Sequence, residues 1–291
     1  RKRLLRAEKR NPLDILGTLY DCGAHIRAAA SIHAKFFIFD GNFGILTSAN
    51  ITSPSLTLNP ESGITLNAEK VKDIERLFDV IYRFGTTFNH FKSAGNNKRF
   101  IIQNLEILDD DWLPVKDHDF LFTYDKVRNS IYESILKVIK EAKAEIILST
   151  YSIIELSKLP EFVEEVKIAI DRNVKMKIFC RGMNYRFDHL LNCQKLAELG
   201  CEIRVDLFNH SKGISNGREA IIFTANIDGN HGLKEGFEVG AYLDSDQADA
   251  LYRFMHWQFD NAPYIFEENP KREVFFETND WYCTQKGIKT N

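Results

Sequence analysis

Apolar positions along the chain repeat with two periods. Ile131, Ile135, Val138 and Ile139 fall on one face at helical spacing, which predicts an amphipathic helix over 126–143. The same period predicts helices over 70–84, 160–172, 185–199 and 246–260. Pro160 opens the second of these and Gly200 stops the third. Short apolar runs between them predict strands: F-F-I-F after Lys35, I-L-T-S up to Ser48, A-E-I-I-L-S-T-Y-S-I, and V-K-M-K-I-F-C. Alternation of strand and helix predicts a largely parallel sheet covered by helices on both faces.

The pattern is duplicated. L-Y-D-C-G-A-H-I-R ahead of His33 matches L-A-E-L-G-C-E-I-R ahead of His210, and E-S-G-I-T-L matches E-V-G-A-Y-L further on. Such long-period self-similarity predicts an α/β fold of two homologous α/β/α sandwich halves. Their sheets are expected to be mixed but mostly parallel, and the halves related by a pseudo-twofold axis. The expected boundaries are a first repeat over 1–94, a turn-rich linker over 95–120, a second repeat over 121–268 and a C-terminal extension over 269–291. Far fewer residues precede His33 than precede His210 within its copy, so the first half is expected to be N-terminally incomplete, with upstream residues missing from this sequence.

Composition changes this picture little. At 291 residues, 44% hydrophobic and 27% charged, the chain is ordinary for a folded protein. No run has the ~18 apolar residues of a membrane span, and R-K-R-L-L-R lacks a signal peptide's apolar stretch. Five cysteines without a C-x-x-C pair make reduced thiols in the cytoplasm the simplest expectation and structural zinc an unexpected one. The net charge of −3 gives no global argument for a polyanion partner, but a local basic cleft needs none. The basic run Arg1–Arg10 reads as a solvated helix end or loop, or as part of such a cleft.

The chemistry lies in the two matched segments. The first carries His33, Lys35, Asp40, Ser48 and Asn50; the second carries His210, Lys212, Asn216, Thr224 and Asn226. Glu61 and Glu238 each follow their own histidine by 28 residues. His33 and Lys35, two apart on an expected strand, point to one side. Lysine charge with hydroxyl and amide donors makes a phosphate cradle, with Ser48 and Thr224 expected on phosphate oxygens. Glu61 is expected to accept a hydrogen bond from His33, and Glu238 from His210, fixing each ring. Two histidines facing one phosphate allow attack by one and proton donation by the other, with no metal or other cofactor required. Other histidines (His25, His90, His118, His189, His231 and His256) read as structural. Arg181 reads as a surface residue, and Phe187, Trp257 and Tyr264 read as core.

H-x-K-x4-D followed by G-x3-S-x-N resembles the signature of the phospholipase D superfamily. His33, Lys35, Asp40, Gly44, Ser48, Asn50 and Glu61 complete it in the first copy. The second copy keeps His210, Lys212, Thr224, Asn226 and Glu238 and has Asn216 where the aspartate is expected, one residue being deleted. The resemblance implies a covalent phosphohistidine intermediate, no metal, His33 as nucleophile, His210 as acid, and a structural role for Asp40 and Asn216. The expected function is a metal-independent nuclease acting on DNA or RNA in the cytoplasm, without a membrane; a protein partner in a larger complex is a further expectation. Phospholipid hydrolysis or transfer is the alternative, and a non-catalytic nucleic-acid-binding or assembly module is a second one.

Overall fold

The computed structural model describes residues 12–29, 31–84, 88–94, 97–102, 120–125 and 127–267. The run Arg1–Arg10, most of the 95–120 linker and the 269–291 extension lie outside them. Along the chain the elements are α1 (Pro12–Asp21), β1 (Phe36–Phe39), β2 (Phe43–Thr47), α2 (Ser53–Thr57), β3 (Gly63–Leu66), α3 (Ala68–Phe84), β4 (Phe88–Ala94), β5 (Asn97–Ile102), β6 (Phe120–Tyr124) and β7 (Arg128–Asn129). Then come α4 (Ser130–Glu141), β8 (Glu145–Ser149), β9 (Ile153–Ile154), α5 (Pro160–Asp171), β10 (Lys175–Arg181), α6 (Phe187–Glu198), β11 (Glu202–Asp206), β12 (Gly213–Ser215), β13 (Ala220–Phe223), β14 (Ile227–Asp228), β15 (Phe237–Tyr242), α7 (Ser245–Asp260) and β16 (Tyr264–Ile265). Among the described residues, no helix is long and apolar enough to cross a membrane.

Two compact units divide the chain across the sequence repeat. The first takes the described residues within Arg1–Ile32 and Lys72–Val115. It contains α1, most of α3 and the antiparallel β4–β5 hairpin, so part of the expected linker is a strand. Within it the Phe91 N–H donates to the Ile26 carbonyl, and the Arg27 guanidinium lies over the Tyr82 ring at 4.1 Å.

The second unit takes the described residues within His33–Val71 and Lys116–Asn291, and so holds both motif segments. Its main sheet has nine strands among the described residues, in the order β16-β11-β10-β8-β12-β13-β15-β6-β7. Strands β8 and β10 alternate faces. Ile146, Leu148, Met176 and Ile178 pack with Ile131, Ile135, Val138 and Ile139 of α4 and with Phe162 and Val166 of α5. Ile147 and Phe179 face the other way, against Met255 and Phe259 of α7. Burying each large aliphatic side chain of α4 contributes roughly 1.5–3 kcal/mol, more than helix propensity alone could supply.

The expectation of a mostly parallel sheet needs correcting. Among the described residues of the main sheet, only the β8–β10 and β10–β11 pairings are parallel, each bridged by a crossover helix, α5 or α6. β12 and β13 form a hairpin too short for a crossover, and the pairings β8–β12, β13–β15 and β15–β6 are antiparallel as well. The repeat survives as a three-strand unit. Phe36, next after Lys35, pairs with Leu46, two before Ser48; Gly213, next after Lys212, pairs with Ile222, two before Thr224. Leu46 then pairs with Ile64 and Ile222 with Ala241, each three past its glutamate. The deleted residue of the second copy is absorbed in the turn, not in the register.

Candidate active site

Both histidine–lysine pairs sit just ahead of a strand, β1 or β12, not within it as expected. The extended segments are held by backbone bonds from the opposite copy. The N–H groups of His33 and Ala34 donate to the Phe237 carbonyl, and that of His210 donates to the Pro60 carbonyl at 3.0 Å. Ser62 strengthens the latter join, its hydroxyl donating to the Lys212 carbonyl and accepting from the Lys212 N–H, each at 3.0 Å. Each lysine ammonium folds back on its own histidine: Lys35 Nζ donates to the His33 carbonyl, and Lys212 Nζ to the His210 carbonyl at 2.8 Å.

The glutamates serve the opposite histidines. Glu238 Oε1 lies 2.8 Å from His33 Nδ1, and Glu61 Oε2 lies 2.8 Å from His210 Nδ1. This corrects the expected pairing of Glu61 with His33 and Glu238 with His210. A carboxylate accepts, so each Nδ1 carries a proton and each Nε2 is left for other chemistry. The other contact of each glutamate comes from its own copy. Ser48 Oγ donates to Glu61 Oε2 at 2.6 Å, and Thr224 Oγ1 donates to Glu238 Oε2 at 2.5 Å. Both hydroxyls are fully buried, so the structure turns them to the carboxylates and not to a phosphate. A hydroxyl has one proton to give, and a buried carboxylate claims it first. Asn50 and Asn226 make no side-chain hydrogen bond among the described residues, and Asn226 Oδ1 is buried without a partner.

Asp40 and Asn216 occupy turns. Asp40 takes the left-handed conformation, φ 51°, between β1 and β2. Asn216 closes the β12–β13 turn, its Oδ1 accepting from the Arg218 and Glu219 N–H groups while its Nδ2 donates to the Val138 carbonyl. The substitution in the second copy therefore falls at the end of β12 away from Lys212.

Charge is concentrated and poorly solvated. Burial pushes Lys35 down to about 8, against the pull of Glu238 and Glu61. Burial, reinforced by Lys35, pushes the fully buried Lys212 down to about 7. Burial also lowers His210, with Lys212 and Lys35 adding to it and Glu61 opposing. Burial would raise Glu61, but hydrogen bonds from His210 and Ser48 outweigh it and hold its carboxyl below the usual range. The His33 side chain is 40% exposed and that of His210 only 11%.

Sequence reading missed two neighbours. The Tyr151 ring meets the His210 ring edge-on at 5.3 Å, and Lys212 Nζ stands 5.9 Å from its centroid. Arg181, expected on the surface, is only 6% exposed, and its guanidinium lies 5.1 Å from the Tyr151 ring. Their signal was position: both lie at the carboxyl ends of parallel strands, where open α/β sheets hold ligands. Phe187 and Trp257, expected in the core, are exposed, whereas Tyr264 is half-buried on β16. Cys180, His189 and Cys193 cluster in the core at metal-ligand spacing. Yet His189 Nδ1 accepts from the Ile153 N–H and Nε2 donates to the Arg181 carbonyl, each at 3.0 Å, so neither ring nitrogen has a lone pair to offer a metal.

Residues 5–82 match the family model described as cardiolipin synthase, PLD-like domain. No curated protein matches the sequence. Phosphatidylserine synthase from Haemophilus influenzae Rd KW20 is similar over 88% of this chain and 69% of its own, with 13% identity and a TM-score of 0.58. Polyphosphate kinase from Porphyromonas gingivalis is similar over 95% of this chain and 44% of its own, with 12% identity and a TM-score of 0.55. Nuc, a phospholipase D family member from Salmonella typhimurium, is similar over 51% of this chain and 97% of its own, with 17% identity and a TM-score of 0.43. At these identities the likeness is one of fold.

Proposed function

Because residues 5–82 match a PLD-like domain and both motif copies resemble the phospholipase D signature, we propose that this chain is a phosphodiesterase of that superfamily whose substrate is nucleic acid and whose reaction passes through a phosphohistidine. The observation that carries the reading is the crossed pair of His–Glu hydrogen bonds, which leaves two Nε2 atoms available beside two buried lysines. His33, the more exposed ring, attacks phosphorus through its neutral Nε2. The phosphorus–oxygen bond to the leaving group breaks as His210 Nε2–H gives its proton to that oxygen. A water then attacks the phosphohistidine, gives its proton to His210, and the phosphorus–nitrogen bond breaks to free His33. Negative charge on the entering phosphodiester favours the protonated form of His210 that the first step needs. Lys35 and Lys212 supply the positive charge around the equatorial oxygens, and Asn50 and Asn226 the neutral donors. Glu61 and Glu238 act as positioning residues, and Ser48 and Thr224 act through them.

Buried cations at the site and exposed aromatic residues near the end of β10 favour a polymeric polyanion. A lipid substrate is the second reading, favoured by the exposed side chains Ile51, Leu56 and Leu58 directly after Asn50. The deciding experiment offers labelled DNA and RNA, single- and double-stranded, and mixed phospholipid vesicles, all in excess EDTA. We expect wild type to cut nucleic acid and His33→Asn and His210→Asn to lose on the order of a thousandfold or more. Hydrolysis of phospholipid with all four nucleic acids intact would replace the nuclease reading with the lipid one. Quenching at neutral pH and mapping phosphohistidine by mass spectrometry tests the roles: phosphate on His210 instead of His33 reverses them.

A further inference from the structure

We propose that Arg181 binds a second phosphate, the one neighbouring the scissile phosphodiester; this rests on the nucleic-acid reading above. Arg181 is the last residue of β10 and more than nine-tenths buried. Its guanidinium makes no hydrogen bond or ion pair among the described residues, its Nε is buried with no partner, and only the Tyr151 ring stacks near it. An ionised side chain in such a place is costly unless something completes it.

The placement is built, not loose. The Arg181 N–H donates to the Tyr151 carbonyl at 3.3 Å, and its own carbonyl accepts from His189 in the core. Tyr151 also touches His210 and Lys212, which puts Arg181 along the wall of the cradle, close enough that its charge depresses Lys212. The two carboxylates of the cradle, Glu61 and Glu238, are engaged by His210 and His33 and by Ser48 and Thr224, so neither serves as the counterpart of the Arg181 charge. A polynucleotide provides one on the next nucleotide, and the planar fork of arginine suits it. Tyr185 and Phe187 present exposed rings beside the end of β10 on which flanking bases can stack.

The test is calorimetric binding of thymidine 3′,5′-bisphosphate and thymidine 5′-monophosphate at pH 6.5, to wild type, Arg181→Gln and Arg181→Lys, with circular dichroism confirming each fold. We expect wild type to bind the bisphosphate at least about tenfold more tightly. Arg181→Gln should erase that preference, and Arg181→Lys, which keeps the charge without the fork, should restore part of it. A preference that survives in Arg181→Gln overturns the proposal, as does equal weakening for both ligands. Binding does not require turnover, so the subsite is judged even if nucleic acid proves not to be cut; hydrolysis of bis(p-nitrophenyl) phosphate by wild type separately reports the paired-histidine chemistry.

Discussion

Lys212 is a fully buried ammonium held by one carbonyl, and its cost is present before any substrate arrives. Its proton affinity falls from 10.5 to about 7 on folding, so between those values the native state binds fewer protons than the unfolded chain. By linkage, stability from this group is fully present above 10.5 and is lost as pH falls toward 7. Lys212→Met should therefore melt higher than wild type at pH 6.5, by roughly 1–3 kcal/mol, with the gap narrowing by pH 9; thermal scans at both pH values check it. The same variant should be inactive. Catalysis has the opposite pH dependence, because the cradle works only while charged. With Lys212 near 7 and Lys35 near 8, kcat/KM should fall as pH rises through 7 to 8. A profile flat from pH 6 to 9 would show that neither lysine titrates there.

At the scale of elements, the duplicated β-strand units keep the same pairing although their turns differ in length. Close strand packing enforces this. A Cβ on Gly240 in β15 would stand 2.8 Å from the Ile222 carbonyl in β13. Gly240→Ala should push those strands apart, cost about 1–3 kcal/mol in denaturant melts and lower kcat by moving Glu238, two residues away. The five predicted helices were legible because 3.6-residue periodicity is imposed by burial on one face; α4 buries all four of its marked aliphatic residues. The beginning of the 126–143 segment was not, because Arg128–Asn129 is drawn into β7 by pairing with β6, a tertiary effect with no local signature. That the two motif segments belong together was legible from their duplicated spacing. Which glutamate serves which histidine was not, since equal spacing in both copies fits either pairing. The hydroxyls were misassigned for a related reason: spacing marks Ser48 and Thr224 as part of the motif but carries no sign of which acceptor they face. Arg181 had no repeat partner, and a lone arginine at a strand end looks like any surface residue until its burial is known.

Across the whole molecule, neither motif copy is self-sufficient. Glu61→Gln should therefore disable His210 and leave the His33–Glu238 bond intact. In a double-mutant cycle on kcat, Glu61 should couple to His210 by about 1 kcal/mol or more and to His33 by much less. Histidine NMR titration gives an independent check: losing Glu61, which raises the His210 pKa, should lower that titration further. Coupling of Glu61 to His33 in preference would mean that the crossed geometry does not operate in solution.

The crossed bonds join residues 149 and 205 positions apart in sequence. Contacts of such high order form late, because the loops they close must be gathered first. During synthesis His33 emerges from the ribosome 205 residues before Glu238, so a growing chain carries its first motif through that interval without the carboxylate that orients it. On the function proposed above, such a chain would stay inert until Glu238 has been made and folded into place. Stalled nascent chains ending near residue 200 should be inert, and those extending well past Glu238 should gain activity.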